Sequence, residues 1–139
     1  YYTKFKFIQF GLVDEGRPIL YPRLLVSITG VMATWWMGLI IGFILGLFSL
    51  MLKSGREMMA VLPKAILLTL IIAFFTGVVG YFYGRIVLAT AEVEWNLPYG
   101  LENRTDFIAV GSMHNFSYIG GLIGLIVGIL YIIKQKVNK

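Results

Sequence analysis

The chain has 139 residues, of which 58% are hydrophobic and only 14% charged, with a formal net charge of +5 and no cysteine. Soluble domains carry about 25% charged residues, so a soluble fold of this size could not hide the apolar surface, and a bilayer must be the solvent for much of it. The length allows one small domain, and the missing cysteines exclude disulfides, thiolate metal sites and cysteine catalysis.

Residues 1–23 form an N-terminal interfacial segment. Tyr2, Phe5, Phe7, Ile8 and Phe10, interleaved with Lys4 and Lys6, suit a short helix or strand lying on the membrane surface. Asp14-Glu15-Gly16 reads as a turn, and Pro18 and Pro22 interrupt regular structure before the first span. The start lacks the charged, apolar and small-residue regions of an intact signal peptide.

Residues 24–139 form the membrane domain, and its uncharged runs set three spans. The first covers 24–52 between Arg23 and Lys53, the second 65–84 between Lys64 and Arg85, and the third 107–133 between Asp106 and Lys134. At 1.5 Å per residue, roughly 20 residues cross a ~30 Å hydrocarbon core. The second run fits directly; the first and third tilt or begin in the interface.

Basic residues orient the spans. Lys53, Arg56 and Lys64 in the first connection, and Lys134, Lys136 and Lys139 in the tail, belong inside; the acidic connection 85–106 belongs outside. The N-terminal segment is then extracytoplasmic, although Lys4, Lys6, Arg17 and Arg23 favour the opposite side. A further helix before Tyr1 would remove that conflict. The basic residues cluster at span ends, as membrane-flanking charges do, so nucleic acid is not the expected partner.

Glycines recur every four residues in two spans: Gly38, Gly42 and Gly46 in the first, Gly120, Gly124 and Gly128 in the third. The second offers a stripe of Ala65, Thr69, Ala73 and Gly77, with Gly80 and Gly84 on an adjoining one. Residues four apart share a helix flank. In lipid, close backbone approach replaces water exclusion as the packing force, and small residues permit it. These nine glycines are therefore the expected helix-packing positions, within one bundle or between chains. Aligning the two ladders also superposes Gly30–Gly38 on Ser112–Gly120, which reads as a parallel internal repeat or as chance.

Counting back from the inner lysines places Thr34, Trp35, Trp36, Arg85, His114 and Asn115 at one level, the outer boundary, where tryptophan is favoured. With the acidic loop above, they define a candidate outer polar site of Thr34, Arg85, Glu92, Glu94, His114 and Asn115. The alternative for each is structural: an interfacial histidine, a solvated acidic loop, and a surface ion pair of Arg85 with Glu92 or Asp106. The spacing of Glu92, Glu94, Glu102 and Asp106 matches no calcium loop. No catalytic constellation, metal site or cofactor fingerprint is present.

Tyr2-Thr3-Lys4-Phe5-Lys6-Phe7, Ala33-Thr34-Trp35-Trp36-Met37-Gly38, and Met113-His114 followed by Ser117-Tyr118 resemble a family of small bacterial multi-span integral membrane proteins with no known activity. The resemblance implies architecture only: a multi-pass protein of the bacterial inner membrane with another hydrophobic segment upstream; the charges, not the resemblance, put its C-terminus on the cytoplasmic side.

The expected fold is an all-α integral membrane bundle of three transmembrane helices with glycine-ladder packing. The leading function is a structural or accessory subunit that associates through small-residue helix faces, with itself or within a larger complex. The alternative is a small channel or transporter entered through His114, Arg85 and the acidic loop, and an enzyme ranks third. Below the outer level only Ser49, Thr69 and Thr76 are available to line a polar path.

Overall fold

The computed structural model describes residues 13–14, 17–18, 22–91, 93–95, 97, 101 and 103–137. Two short antiparallel strands, β1 (Val13–Asp14) and β2 (Arg17–Pro18), precede three long helices: α1 (Pro22–Ser49), α2 (Gly55–Tyr83) and α3 (Arg104–Val137). Val13 pairs with Pro18 and Asp14 with Arg17, while Glu15 and Gly16 of the expected turn lie outside the described residues. The surface element expected over residues 1–10 lies outside the described residues, as do Glu92 and Glu102.

Three helical stretches are long and apolar enough to cross a membrane: Leu24–Ser49, Gly55–Leu88 and Arg104–Val137. Their 26, 34 and 34 residues measure about 39, 51 and 51 Å at 1.5 Å per residue, beyond a ~30 Å core. By its helices this is a multi-pass membrane protein.

The helix ends follow from local chemistry. Pro22 opens α1, where the first N–H groups have no intrahelical partner and a missing donor costs nothing. The second helix begins ten residues ahead of its uncharged run because of a capping box at Ser54-Gly55-Arg56-Glu57. The Ser54 hydroxyl accepts from the Glu57 N–H at 3.3 Å, and the Glu57 carboxylate accepts from the Lys53 N–H at 3.2 Å. Arg56, Glu57 and Lys64 thus ride on the first turns of α2, and Pro63 sits inside the helix, leaving the Met59 carbonyl without an i+4 donor. At its other end α2 runs into a π-helical turn, Gly84–Leu88. α3 starts at Arg104, capped by Asn103, whose Oδ1 accepts from the Asp106 N–H at 3.0 Å. The connection between these helices is accordingly shorter than 85–106.

α2 and α3 form an antiparallel hairpin in contact along its whole length, while α1 meets the pair more sparsely. Successive small residues of α2 oppose small residues of α3: Ala65 with Gly128, Thr69 with Gly124, Ala73 with Gly120, Gly77 with Ser117, and Gly84 with Ala109. A Cβ added at Gly124 would lie 2.8 Å from the Thr69 Cα, and one at Gly120 would lie 2.8 Å from the Ala73 Cα. Backbones this close leave no room for a methyl group. The Thr69 hydroxyl bridges the seam, 2.9 Å from the Gly124 carbonyl and 3.0 Å from the Ala65 carbonyl.

α1 touches the hairpin at two levels. Near the Lys53 end, Leu45 packs with Val61, Ala65 and Ile132 in a buried cluster and approaches Gly128. Toward the Arg85 end, the Tyr118 hydroxyl donates to the Ala33 carbonyl at 3.1 Å, and the Trp36 and Tyr118 rings lie 6.1 Å apart.

Candidate functional site

Two regions gather some of the residues singled out by sequence. The first is the polar end of the hairpin. There the Arg85 guanidinium donates to the Asp106 carboxylate at 2.5 Å and to the Tyr81 hydroxyl at 3.2 Å, with both charged side chains about half exposed. Asp106 also accepts from the Asn103 side-chain amide at 2.7 Å, so one carboxylate joins the end of α2 to the start of α3. Arg104 continues the latch, donating to the carbonyls of Ala89 and Ala91 at 2.7 and 2.8 Å. This is a fastening between two helix ends: its donors and acceptors are engaged with one another.

The other polar candidates diverge from that latch. His114 is buried, with its ring edge-on to Tyr118 at 4.6 Å, whereas Asn115, one residue on and about 100° around the helix, is exposed. Thr34 lies on α1, its hydroxyl donating to the Gly30 carbonyl at 2.8 Å. Glu94 is exposed, and Glu92 lies outside the described residues. Among the described residues no three of His, Asp and Glu gather as a metal site requires. Two buried hydroxyls, Thr29 and Ser112, have no hydrogen-bond partner there, and Ser112 packs against Gly84.

The second region is a cleft of about 430 Å³ within the span of the helices. Ile41 of α1 lies against Gly121 of α3, and all three helices line the cleft. Gly38 and Gly42 form its α1 wall; Ile66 and Ala73 line it from α2, Ser117 and Tyr118 from α3. A Cβ added at Gly30, Gly38, Gly42 or Gly46 would meet no described atom within 4 Å. The two ladders therefore differ in surroundings: Gly77, Gly80, Gly84, Gly120, Gly124 and Gly128 abut atoms of a neighbouring helix, while Gly38, Gly42 and Gly46 do not. No local feature of Ile66, Ala73, Ser117 or Tyr118 marks them as walls of a common space. Their meeting depends on where α1 is placed against the hairpin.

Several hydroxyls along the spans are turned back on their own helix. Ser49 donates to the Gly46 carbonyl, Thr76 to Ile72 and Ser117 to His114, at 2.6 to 2.7 Å. A helical hydroxyl bonded to its own preceding turn presents mainly methylene or methyl surface outward. The cleft is consequently apolar despite the Thr, Ser and Tyr in its walls.

Comparison of the chain with protein-family models, with curated proteins and with solved structures gave no match.

Proposed function

We propose that the chain is a structural or accessory membrane subunit in which the α2–α3 hairpin is a rigid scaffold and α1 is the helix that associates with a partner. The observation carrying this reading is the imbalance in burial. Only 11% of the most apolar stretch of α1 is buried, against 22% in the second spanning stretch and 28% in the third. Leu39, Ile40, Phe43 and Leu47 are exposed on α1, and its glycines are open to close approach. Glycine costs about 1 kcal/mol relative to alanine inside a helix, so four unopposed glycines favour a contact made outside this chain. Orientation by the positive-inside rule, with the Lys53 end and the tail cytoplasmic, goes with the same reading.

A channel within the single chain has less support. Ser49, Thr69, Thr76 and Ser117 donate to backbone carbonyls, and Arg85 is engaged by Asp106 rather than standing over an entrance.

The test is the native mass of the protein purified from membranes in a mild detergent. The subunit reading expects a discrete assembly well above the 15.7 kDa chain, dissociated by Gly46→Leu, which lies outside the cleft. A monodisperse monomer at every protein concentration, in several mild detergents, would refute it.

A further inference from the structure

We infer that the flank of α2 carrying Arg56 and Lys64 binds an anionic phospholipid, with the phosphate at Lys64 and the headgroup beside Arg56. Depth comes first. Lys64 and Arg85 stand twenty-one residues apart on one continuous helical stretch, about 32 Å at 1.5 Å per residue, which matches a ~30 Å hydrocarbon core. With Arg85 latched to Asp106 at one boundary, Lys64 marks the other. Helical side chains lean toward their own N-terminus, so the Lys64 stem is directed out of the core and its ammonium into the headgroups.

The order of residues along this flank is that of a phospholipid. Leu67 and Ile71, three and seven residues deeper than Lys64, are exposed and face acyl chains. Toward the surface come Lys64, then Ala60, whose methyl leaves the flank shallow, then Arg56, all exposed. Tail, phosphate and headgroup meet apolar, cationic and cationic surface in turn. A free phosphate or a soluble acidic peptide would leave the apolar half of that flank unused.

Charge decides which lipid. Among the described residues this end holds Lys53, Arg56, Lys64, Lys134 and Lys136 against Glu57 alone. The Glu57 carboxylate is turned to the Lys53 N–H, and among the described residues neither Arg56 nor Lys64 forms an ion pair. The opposite end differs: Arg85 is paired with Asp106, and Arg104 is held by backbone carbonyls. Every phospholipid brings a phosphate for Lys64. The Arg56 guanidinium then discriminates, repelling the quaternary ammonium of phosphatidylcholine and accommodating the uncharged glycerol of phosphatidylglycerol. A basic side chain near an anionic surface favours it about fivefold. Neither Arg56 nor Lys64 lines the cleft, so the site is separate from the α1 face offered to a partner.

The experiment places a photoreactive side chain at position 59, where Met59 is exposed beside Arg56 and Ala60. The full chain is reconstituted in vesicles of equal phosphatidylcholine and phosphatidylglycerol with identical acyl chains, and lipid adducts are counted by mass spectrometry after photolysis. At low salt phosphatidylglycerol adducts should exceed phosphatidylcholine adducts about fivefold, and high salt should bring the ratio toward one. Arg56→Gln should equalise the two lipids, and Lys64→Gln should lower the ratio about twofold. The same probe at position 82, where Phe82 is exposed near the charge-balanced latch, should show no preference. Equal adducts from position 59 at low salt overturn the proposal without reference to any charge variant. So does a preference that survives Arg56→Gln in a protein of unchanged helicity, or one equally strong at position 82. Loss of the preference to inorganic phosphate, at an ionic strength where chloride preserves it, would make this a free-anion site and overturn the lipid. Chain-to-chain crosslinks from position 59 would put a second copy on the flank and overturn it too.

Discussion

Replacing Gly124 by alanine and, separately, Gly42 by alanine gives the same chemical change on two ladders with opposite surroundings. At Gly124 the new Cβ would lie 2.8 Å from the Thr69 Cα and 2.9 Å from the Thr69 carbonyl oxygen, and backbone cannot rotate aside as a flexible side chain can. α2 and α3 must separate. Overpacking of this kind costs about 1–3 kcal/mol. The Thr69 hydroxyl bond to the Gly124 carbonyl lengthens as well, and interhelical bonds in membranes average about 0.6 kcal/mol. Against these, alanine gains about 1 kcal/mol of helix propensity over glycine. The net is a loss of about 0.5–2.5 kcal/mol. At Gly42 no described atom lies within 4 Å of the added methyl, so only the propensity gain of up to about 1 kcal/mol remains. The assay is equilibrium unfolding of the monomer in mixed micelles of mild detergent and dodecyl sulfate, followed by far-UV circular dichroism. Gly124→Ala should unfold at a lower dodecyl sulfate fraction than the unaltered chain and Gly42→Ala at an equal or higher one. Two shifts of the same sign, or a Gly124→Ala protein as stable as the original, would refute the geometry of the α2–α3 seam.

Two further outcomes follow from the hydrogen bonds. Thr69→Val should lower stability in the same assay by about 0.6 kcal/mol, and at most about 1.7, because it keeps the shape and deletes the donor shared by Gly124 and Ala65; Thr69→Ser should recover most of that loss. At the latch, Asn103→Ala should cost about 1 kcal/mol through the lost α3 cap. Arg85→Gln should cost less than Asn103→Ala, and that cost should shrink on raising salt, since the ion pair is half exposed. Thermal unfolding at low and high salt separates the two, and an Arg85→Gln loss exceeding that of Asn103→Ala would contradict the assignment.

Several elements were legible in the residues and several were not. The three long apolar helices follow from uncharged runs bounded by Lys53, Lys64, Arg85, Asp106 and Lys134, because a charge in hydrocarbon is too unfavourable to sit mid-span. Charge runs locate the apolar core of a helix but not its ends. α2 extends back to Gly55 because Ser54 and Glu57 satisfy its first donors, a signal present in the sequence as Ser-x-x-Glu and outranked by the charges beside it. Asn103 caps α3 for the same reason. The six-residue polar constellation was drawn from depth alone, and depth does not fix azimuth. His114 faces inward toward Tyr118 while Asn115 faces out, and Arg85 reaches Asp106 instead of either.

What the sequence alone determined is the solvent, the number of long apolar helices and the flanks on which each helix is bare. Only the tertiary structure decided which bare flank meets which neighbour. Gly38-Gly42-Gly46 and Gly120-Gly124-Gly128 are the same pattern, yet one borders an open slot and the other lies against Thr69 and Ala73. A glycine states that backbone is approachable, whereas contact needs a complementary row on another helix in register with it. The stripe Ala65, Thr69, Ala73 and Gly77 supplies that row to α3, and a helix flank serves one such seam at a time.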